Sequence, residues 1–310
     1  MLRRGLLWLS ERQRVFDFVR RNRVARGVAR RFVAGETVEE GVGVACDVVA
    51  TGIAVTLDLL GESVADPPTA RSACDAYLTL LNRMADAGIA VNVSLKLTQM
   101  GLDIAEDLCD ENMTRILDRA SELGGFVRLD MEGSDYTQPT LDFFEDRLYP
   151  RYGNGVGVVI QSALRRSADD VDRLIQLGAR VRLCKGAYLE PPSIAFPAKR
   201  DVDQNFVTLM ERLLLEGTYP AIATHDTRII GHARALAGKH GFAEDRFEFQ
   251  MLHGVRRDLQ TRLRGEGYRM RVYVPFGTQW YPYLMRRLAE RPGNIVFMVV
   301  NILREGLSRR

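Results

Sequence analysis

Eight short runs rich in β-branched residues recur along this chain, and stretches with helical spacing of their apolar residues lie between them. The runs are GIAVTLDLL (52–60), IAVNVSLKL (89–97), GFVRLDM (125–131), GVGVVIQ (155–161), RVRLCKG (180–186), YPAIATHD (219–226), RFEFQML (246–252) and RMRVYVPFG (269–277). Segments such as CDAYLTLLNRMADAG, NMTRILDRASELG, SADDVDRLIQLG and NFVTLMERLLLEG separate them, and each of these ends in Gly, a common helix stop. Strands that alternate with helices pair in parallel, because each helix carries the chain back across the sheet. Eight such units fit the roughly 250 residues of a (βα)8 barrel. An open doubly wound sheet is the other arrangement, but no GxGxxG follows the first run. The chain therefore reads as one α/β barrel domain over residues 1–310, with residues 1–45 as helices added ahead of the first strand.

The composition is that of a soluble globular protein, with 46% hydrophobic and 27% charged residues, and no Gly/Ser/Pro linker divides it. A net charge of +3 is too small to imply nucleic acid. Basic residues crowd the start, in ERQRVFDFVRRNRVARGVARRF, but Phe16, Phe18 and Val24 interleave them, as in amphipathic helices. Cys46, Cys74, Cys109 and Cys184 form no CxxC pair, so no metal site is expected, and scattered thiols suit a reducing cytosol. The apolar run in MLRRGLLWLS is too short for a leader or a span. The apolar tail NIVFMVVNILREG falls short of the about 20 residues that cross a bilayer, which leaves burial or a peripheral membrane contact.

In a (βα)8 barrel the chemistry sits at the C-terminal ends of the strands. Those ends carry Asp58 and Glu62; Ser94 and Lys96; Asp130 and Glu132; Gln161; Arg182, Lys185 and Tyr188; Thr224, His225 and Asp226; Glu248, Gln250 and His253; and Tyr273. Each alone has a structural reading. Asp130 could cap a helix, Arg182 could pair with Asp130 or Glu132, Glu248 and Gln250 could form a polar layer inside the barrel, and His253 could be a core histidine. Together they are harder to dismiss, because inward charges need partners or a task. Tyr283, Arg286, Arg287 and Glu290 share one face of a helix beyond the last strand. That face is either a solvated one or a clamp of two guanidiniums for a carboxylate or phosphate. The set is mostly cationic, without an evident nucleophile–base pair, which suits an anionic substrate and a cofactor that carries the chemistry. A strand-end lysine, Lys96 or Lys185, would also serve a Schiff-base lyase, and a barrel acting only as a binding module is the non-enzymatic alternative.

Seven ordered stretches resemble the motifs of the proline dehydrogenase family, in its single-function bacterial form. They are VSLKLTQMGLD (93–103), VRLDMEGSDYT (127–137), RLCKGAY (182–188), ATHD (223–226), FEFQML (247–252), VYVPFG (272–277) and YLMRRLAERPGN (283–294). The resemblance runs from about residue 50 to the end and implies a distorted (βα)8 barrel that binds FAD without a Rossmann motif. It implies oxidation of L-proline to Δ1-pyrroline-5-carboxylate by hydride transfer from C5 to the flavin N5, the first step of proline degradation to glutamate. Electrons would pass to a membrane quinone, and the product to a separate pyrroline-5-carboxylate dehydrogenase. Such an enzyme is cytoplasmic and touches the membrane peripherally. By the same resemblance Lys96, Arg286 and Arg287 hold the proline carboxylate, and Glu290 orients the two arginines. Tyr188 and Tyr283 close over the ring, and Tyr273 shapes the site. Asp130 is essential, and Arg182 reaches the flavin. Met131, Gln161, Lys185, Gly186, Ala187, Thr224 and His225 line the FAD.

Overall fold

The computed structural model describes residues 30–290, with side chains through Met285. Eight strands close into a parallel barrel in sequence order: β1 Ala54–Leu59, β2 Asn92–Leu95, β3 Phe126–Leu129, β4 Val156–Gln161, β5 Arg180–Cys184, β6 Thr218–Ala223, β7 Glu248–Leu252 and β8 Met270–Phe276. Each falls inside, or within one residue of, a run read from the sequence. The seam between β8 and β1 is the longest register of the sheet, from Ala54 opposite Arg271 to Leu59 opposite Phe276.

The helices are α1 Val38–Val49, α2 Pro67–Asp86, α3 Glu106–Glu122, α4 Thr137–Phe143, α5 Tyr149–Tyr152, α6 Ser167–Leu177, α7 Lys199–Glu216, α8 Thr227–His240, α9 Arg257–Gly265 and α10 Trp280–Glu290. Local sequence sets their ends. Asp66 accepts from the Thr69 amide ahead of Pro67, whose missing N–H costs nothing in the first turn. Thr37 and Glu40 form a reciprocal capping box for α1. Between α4 and α5 the chain makes a π turn over Phe144–Leu148, where Pro150 removes an amide from the regular pattern. Of the helices expected ahead of the first strand, α1 is described and runs past residue 45, while residues 1–29 lie outside the described residues.

Side chains alternate across each strand, and the two faces differ in kind. Outward residues such as Val93, Leu95, Val127, Leu129, Val158 and Val181 pack against the helices and form the hydrophobic core. On α2 that core takes Ala70, Cys74, Tyr77, Leu81 and Met84, spaced three or four apart along one face. Inward residues are mostly polar instead, with Val159 and Ala221 among the exceptions. Thr56, Asp58, Ser94, Arg128, Arg182, Glu248 and Gln250 are all buried, in a space that barrels usually fill with branched apolar side chains. Buried charge on this scale needs partners, and the partners run along the barrel axis.

Candidate active site

Asp130 sits one residue beyond β3 and is the hub of the C-terminal mouth. Its Oδ1 accepts from Arg182 Nη1 at 2.7 Å and from Ser94 Oγ at 3.2 Å. Its Oδ2 lies 2.7 Å from Tyr273 Oη, which is also 2.6 Å from Asp58 Oδ2. Asp130 therefore caps no helix; it joins β2, β5 and β8 across the barrel. Arg182 extends the network, donating from Nε to Gln250 Oε1 at 2.5 Å while its guanidinium lies 5.3 Å from the Tyr273 ring centre. Gln250 in turn donates to Glu248, which Arg271 binds at 2.8 Å. Glu248 and Gln250 thus form the polar layer that their positions suggested.

Lys96 is only 7% exposed, yet its ammonium makes no hydrogen bond or ion pair among the described residues. Burial works against its charge, but the fields of Asp58, Asp130, Tyr188 and Glu62 outweigh that and raise the ammonium above its ordinary value. It is a buried, charged donor beside the Asp130 cluster. Glu132 behaves in the opposite sense: burial pushes its carboxyl up to about 7 against Lys96 and the Thr98 hydroxyl, which lies 2.9 Å from both of its oxygens.

A second group of residues lines the rim over β4, β5 and β6. Gln161 donates to the Glu132 carbonyl at 2.8 Å. Gly186 turns at φ +98°, and a Cβ there would stand 2.8 Å from Gln161 Oε1, so this close passage takes glycine alone. Lys185 is already committed to Asp203 at 2.6 Å and Asp226 at 3.2 Å. Thr224 is buried and accepts from the Asp226 amide at 3.1 Å. His225 accepts the Leu252 amide on Nε2 at 3.0 Å, which places any ring proton of the neutral imidazole on Nδ1. Met131 is buried beside Asp130, and Ala187 and Tyr188 follow on the partly exposed loop after β5. His253 is buried, and its amide donates to the Tyr273 carbonyl at 2.9 Å. Burial and Arg257 hold it down at about 4, as a neutral core histidine.

Beyond β8, Tyr283 and Leu284 of α10 are buried. The backbone of α10 carries Arg286, Arg287 and Glu290, whose side chains lie outside the described residues. The structure thus assembles Lys96, Asp130, Arg182 and Tyr273 into one cluster, with the Gln161–His225 group beside it. Asp58, Ser94 and Gln250 were visible in the sequence as strand ends, but nothing in their spacing gave them a role. Tyr77, on α2, had no signal at all. Its hydroxyl enters the barrel wall and donates to the Ser94 carbonyl at 2.8 Å.

The model of the family described as Proline dehydrogenase matches residues 46–299. The chain belongs to the proline dehydrogenase family. It is 41% identical over 307 residues to the Proline dehydrogenase of Deinococcus radiodurans, covering 98% of each chain. It is also 41% identical over 297 residues to Proline dehydrogenase 2 of Bacillus subtilis, covering 96% of this chain and 97% of that one. A crystal structure of proline utilization A (PutA) from Bdellovibrio bacteriovorus, inactivated by N-propargylglycine, superposes with a TM-score of 0.78 at 28% identity. That match covers 85% of this chain and 32% of the PutA chain, so the proline dehydrogenase barrel corresponds to about a third of the larger protein. Full-length correspondence with the two shorter relatives supports the single-function type.

Proposed function

We propose that this protein oxidises L-proline to Δ1-pyrroline-5-carboxylate with FAD as its cofactor, passing the electrons on to a membrane quinone. The observation that carries the substrate class is Lys96. A buried ammonium without a counterion among the described residues is a binding site for an anion, and proline brings a carboxylate. Arg286 and Arg287 on α10 complete the grip in this reading, with Glu290 orienting them, and Tyr188 and Tyr283 flank the ring. Holding the carboxylate fixes the ring carbon that is oxidised, which is catalysis by positioning.

The rim over β4 to β6 fits FAD in character. It offers a glycine passage at Gly186, amide and hydroxyl groups at Gln161 and Thr224, a neutral His225, and the apolar side chains of Met131 and Ala187. Lys185, held by two carboxylates, would share its charge between them and a bound phosphate. When bound, FAD supplies the two-electron acceptor that no side chain here can provide. Arg182 holds a fixed cation at the mouth, backed by Asp130 and Gln250, where negative charge arriving on a cofactor needs one. Solvent takes the amine proton in this reading, and the product leaves for a separate dehydrogenase on the way to glutamate. No helix of the described residues is long and apolar enough to cross a membrane. Delivery of electrons to a quinone therefore implies a peripheral contact, from a cytoplasmic protein. Residues 1–310 act as one domain. A Schiff-base lyase needs a neutral lysine, whereas Lys96 is held charged and Lys185 is ion-paired.

Two variants and one extraction test this. Denatured protein should release FAD rather than FMN. Lys96→Met and Arg287→Met should each weaken proline and the inert analogue tetrahydrofuran-2-carboxylate by about 2–5 kcal/mol, roughly 30- to 4,000-fold, while FAD content stays near wild type. Unchanged affinity for the analogue in both variants would remove the carboxylate grip.

A further inference from the structure

Tyr273 Oη stands between two carboxyl groups, 2.6 Å from Asp58 Oδ2 and 2.7 Å from Asp130 Oδ2. Both distances are those of hydrogen bonds between oxygens. A phenol carries one proton, and an ionised carboxylate only accepts. Two ionised aspartates would leave one of these close oxygen pairs with no proton between them. A second proton must therefore sit on one of the carboxyls.

The surroundings decide which. Asp130 Oδ1 already accepts from the Arg182 guanidinium at 2.7 Å and from the Ser94 hydroxyl, which suits a full negative charge. Asp58 is fully buried. Apart from Tyr273, the side chain bonded to it among the described residues is Tyr77, whose hydroxyl stands 3.5 Å away and has a better acceptor in the Ser94 carbonyl at 2.8 Å. Lys96 acts on Asp58 through its field but forms no ion pair with it, and Arg182 is bonded to Asp130.

We infer that Asp58 is a neutral carboxylic acid in the native protein, donating from Oδ2 to Tyr273 Oη, whose own proton goes to Asp130. The electrostatics agree. Burial raises the Asp58 carboxyl; the Lys96 field opposes this and Asp130 reinforces it, the Tyr273 hydrogen bond and Arg182 opposing in smaller measure. Burial and the charge of Asp130 raise the Tyr273 phenol well above its ordinary value, so it keeps its proton.

Asp58 is then a positioning residue. It confines the negative charge of the cluster to Asp130, where Arg182 balances it, and it leaves the charge of Lys96 unspent, supported then by the fields of Asp130 and Glu62 rather than that of Asp58. This last consequence, for substrate, rests on the reading in the preceding section; the proton count does not. Loss of the Asp58 proton at high pH would set a second carboxylate against Lys96, in competition with a substrate carboxylate.

Infrared difference spectroscopy of the FAD-loaded protein reads the proton directly, because a neutral acid has a carbonyl stretch that a carboxylate lacks. At about pH 8, Glu132 is mostly ionised. Wild type minus Asp58→Asn should show one neutral-acid band that shifts in D2O, and Glu132→Gln should retain it. In Tyr273→Phe the acid keeps its proton but loses its acceptor, so the band should persist at higher frequency; this variant serves if Asp58→Asn does not fold. A band removed by Asp130→Asn but kept in Asp58→Asn, or no such band in wild type, would overturn the inference. The pH profile gives an independent readout: KM for proline should rise on the alkaline side in wild type, and that limb should vanish in Asp58→Asn. A limb that persists unchanged in Asp58→Asn would overturn the coupling to Lys96. If proline is not the substrate, the band is still there to be measured.

Discussion

The two ends of this barrel are both lined with charge, but they use it differently. At the N-terminal floor, guanidinium and aromatic planes alternate: Arg128 and Arg180 lie 4.6 and 4.4 Å from the Phe126 ring centre, and Arg180 lies 4.6 Å from that of Tyr219. Gly157 makes room for this, since a Cβ there would stand 2.7 Å from Arg128 Nη1. Glu248 receives Arg271, Gln250 and Tyr219, and against the pull of burial these hold its carboxyl below the ordinary value. A cleft of about 550 Å³ opens beside them, yet its acids Glu244, Asp245 and Glu248 match its arginines Arg264, Arg269 and Arg271 in number. Arg128 and Arg180 have no carboxylate partner there but donate to backbone carbonyls, Arg128 to those of Val158 and Arg180, and Arg180 to that of Asn154, so these two cations are already engaged. At the C-terminal mouth, Lys96 has no partner among the described residues, and Asp58 and Asp130 contend for one phenol. A cleft alone does not mark a site; unspent buried charge does, because its cost is recovered only when a ligand arrives.

That contrast breaks most sharply at Asp130. Asp130→Ala leaves Arg182 buried without its counterion, a loss of about 3–5 kcal/mol. Since Arg182 belongs to the site, proline kcat/KM should fall by roughly 150- to 5,000-fold. Steady-state kinetics on the folded variant would show whether the mouth is catalytic; a change of less than threefold would make the Asp130–Arg182 pair structural.

The equivalent lesion at the floor should separate stability from activity. Glu248→Gln leaves Arg271 short of a charge and should cost about 3 kcal/mol in urea unfolding, with proline kcat/KM within about threefold of wild type. A large kinetic defect would join the two ends through Gln250 and Arg182 more tightly than the contrast allows.

Glu132 gives a smaller effect with a definite sign. Its carboxyl is raised from 4.5 to about 7, so between those values the folded state holds a proton that the unfolded chain has released. Stability therefore falls as pH rises through that window. Glu132→Gln should match wild type near pH 4.5 and exceed it by about 1–3 kcal/mol near pH 8, in paired urea titrations. Equal pH slopes in the two proteins would contradict the assignment. Smallest of all is the surface pair of Arg71 and Glu111, 2.7 Å apart and half exposed. Arg71→Ala should cost under about 1 kcal/mol and leave kinetics unchanged.

The eight strands were legible because outward residues such as Val93, Leu95 and Val127 face a helix layer and keep a simple apolar pattern. The mouth was legible as a list, since the C-terminal end of a strand is a fixed place, and roles came only with the family motifs. What spacing could not give is which charges are already taken. Lys96 and Lys185 look alike at the ends of their runs, but one is unpaired among the described residues and the other is held by Asp203 and Asp226, from α7 and the β6–α8 loop. Asp58 likewise reads as one more strand-end acid. Its distinction depends on Tyr273, more than 200 residues away in sequence and adjacent only because β8 closes on β1. Closure of the barrel is a tertiary event, and the contacts it creates leave no local period.

The central claim is that the mouth binds proline's carboxylate and takes electrons from the bound substrate. Anaerobic titration of the FAD-loaded protein with L-proline, followed by visible absorbance, tests it in one vessel. Bleaching of the flavin bands to completion, with Lys96→Met requiring at least about 30-fold more proline to reach the midpoint, is the expected result. A flavin spectrum that saturating L-proline leaves unchanged, in protein shown to contain FAD, would contradict it.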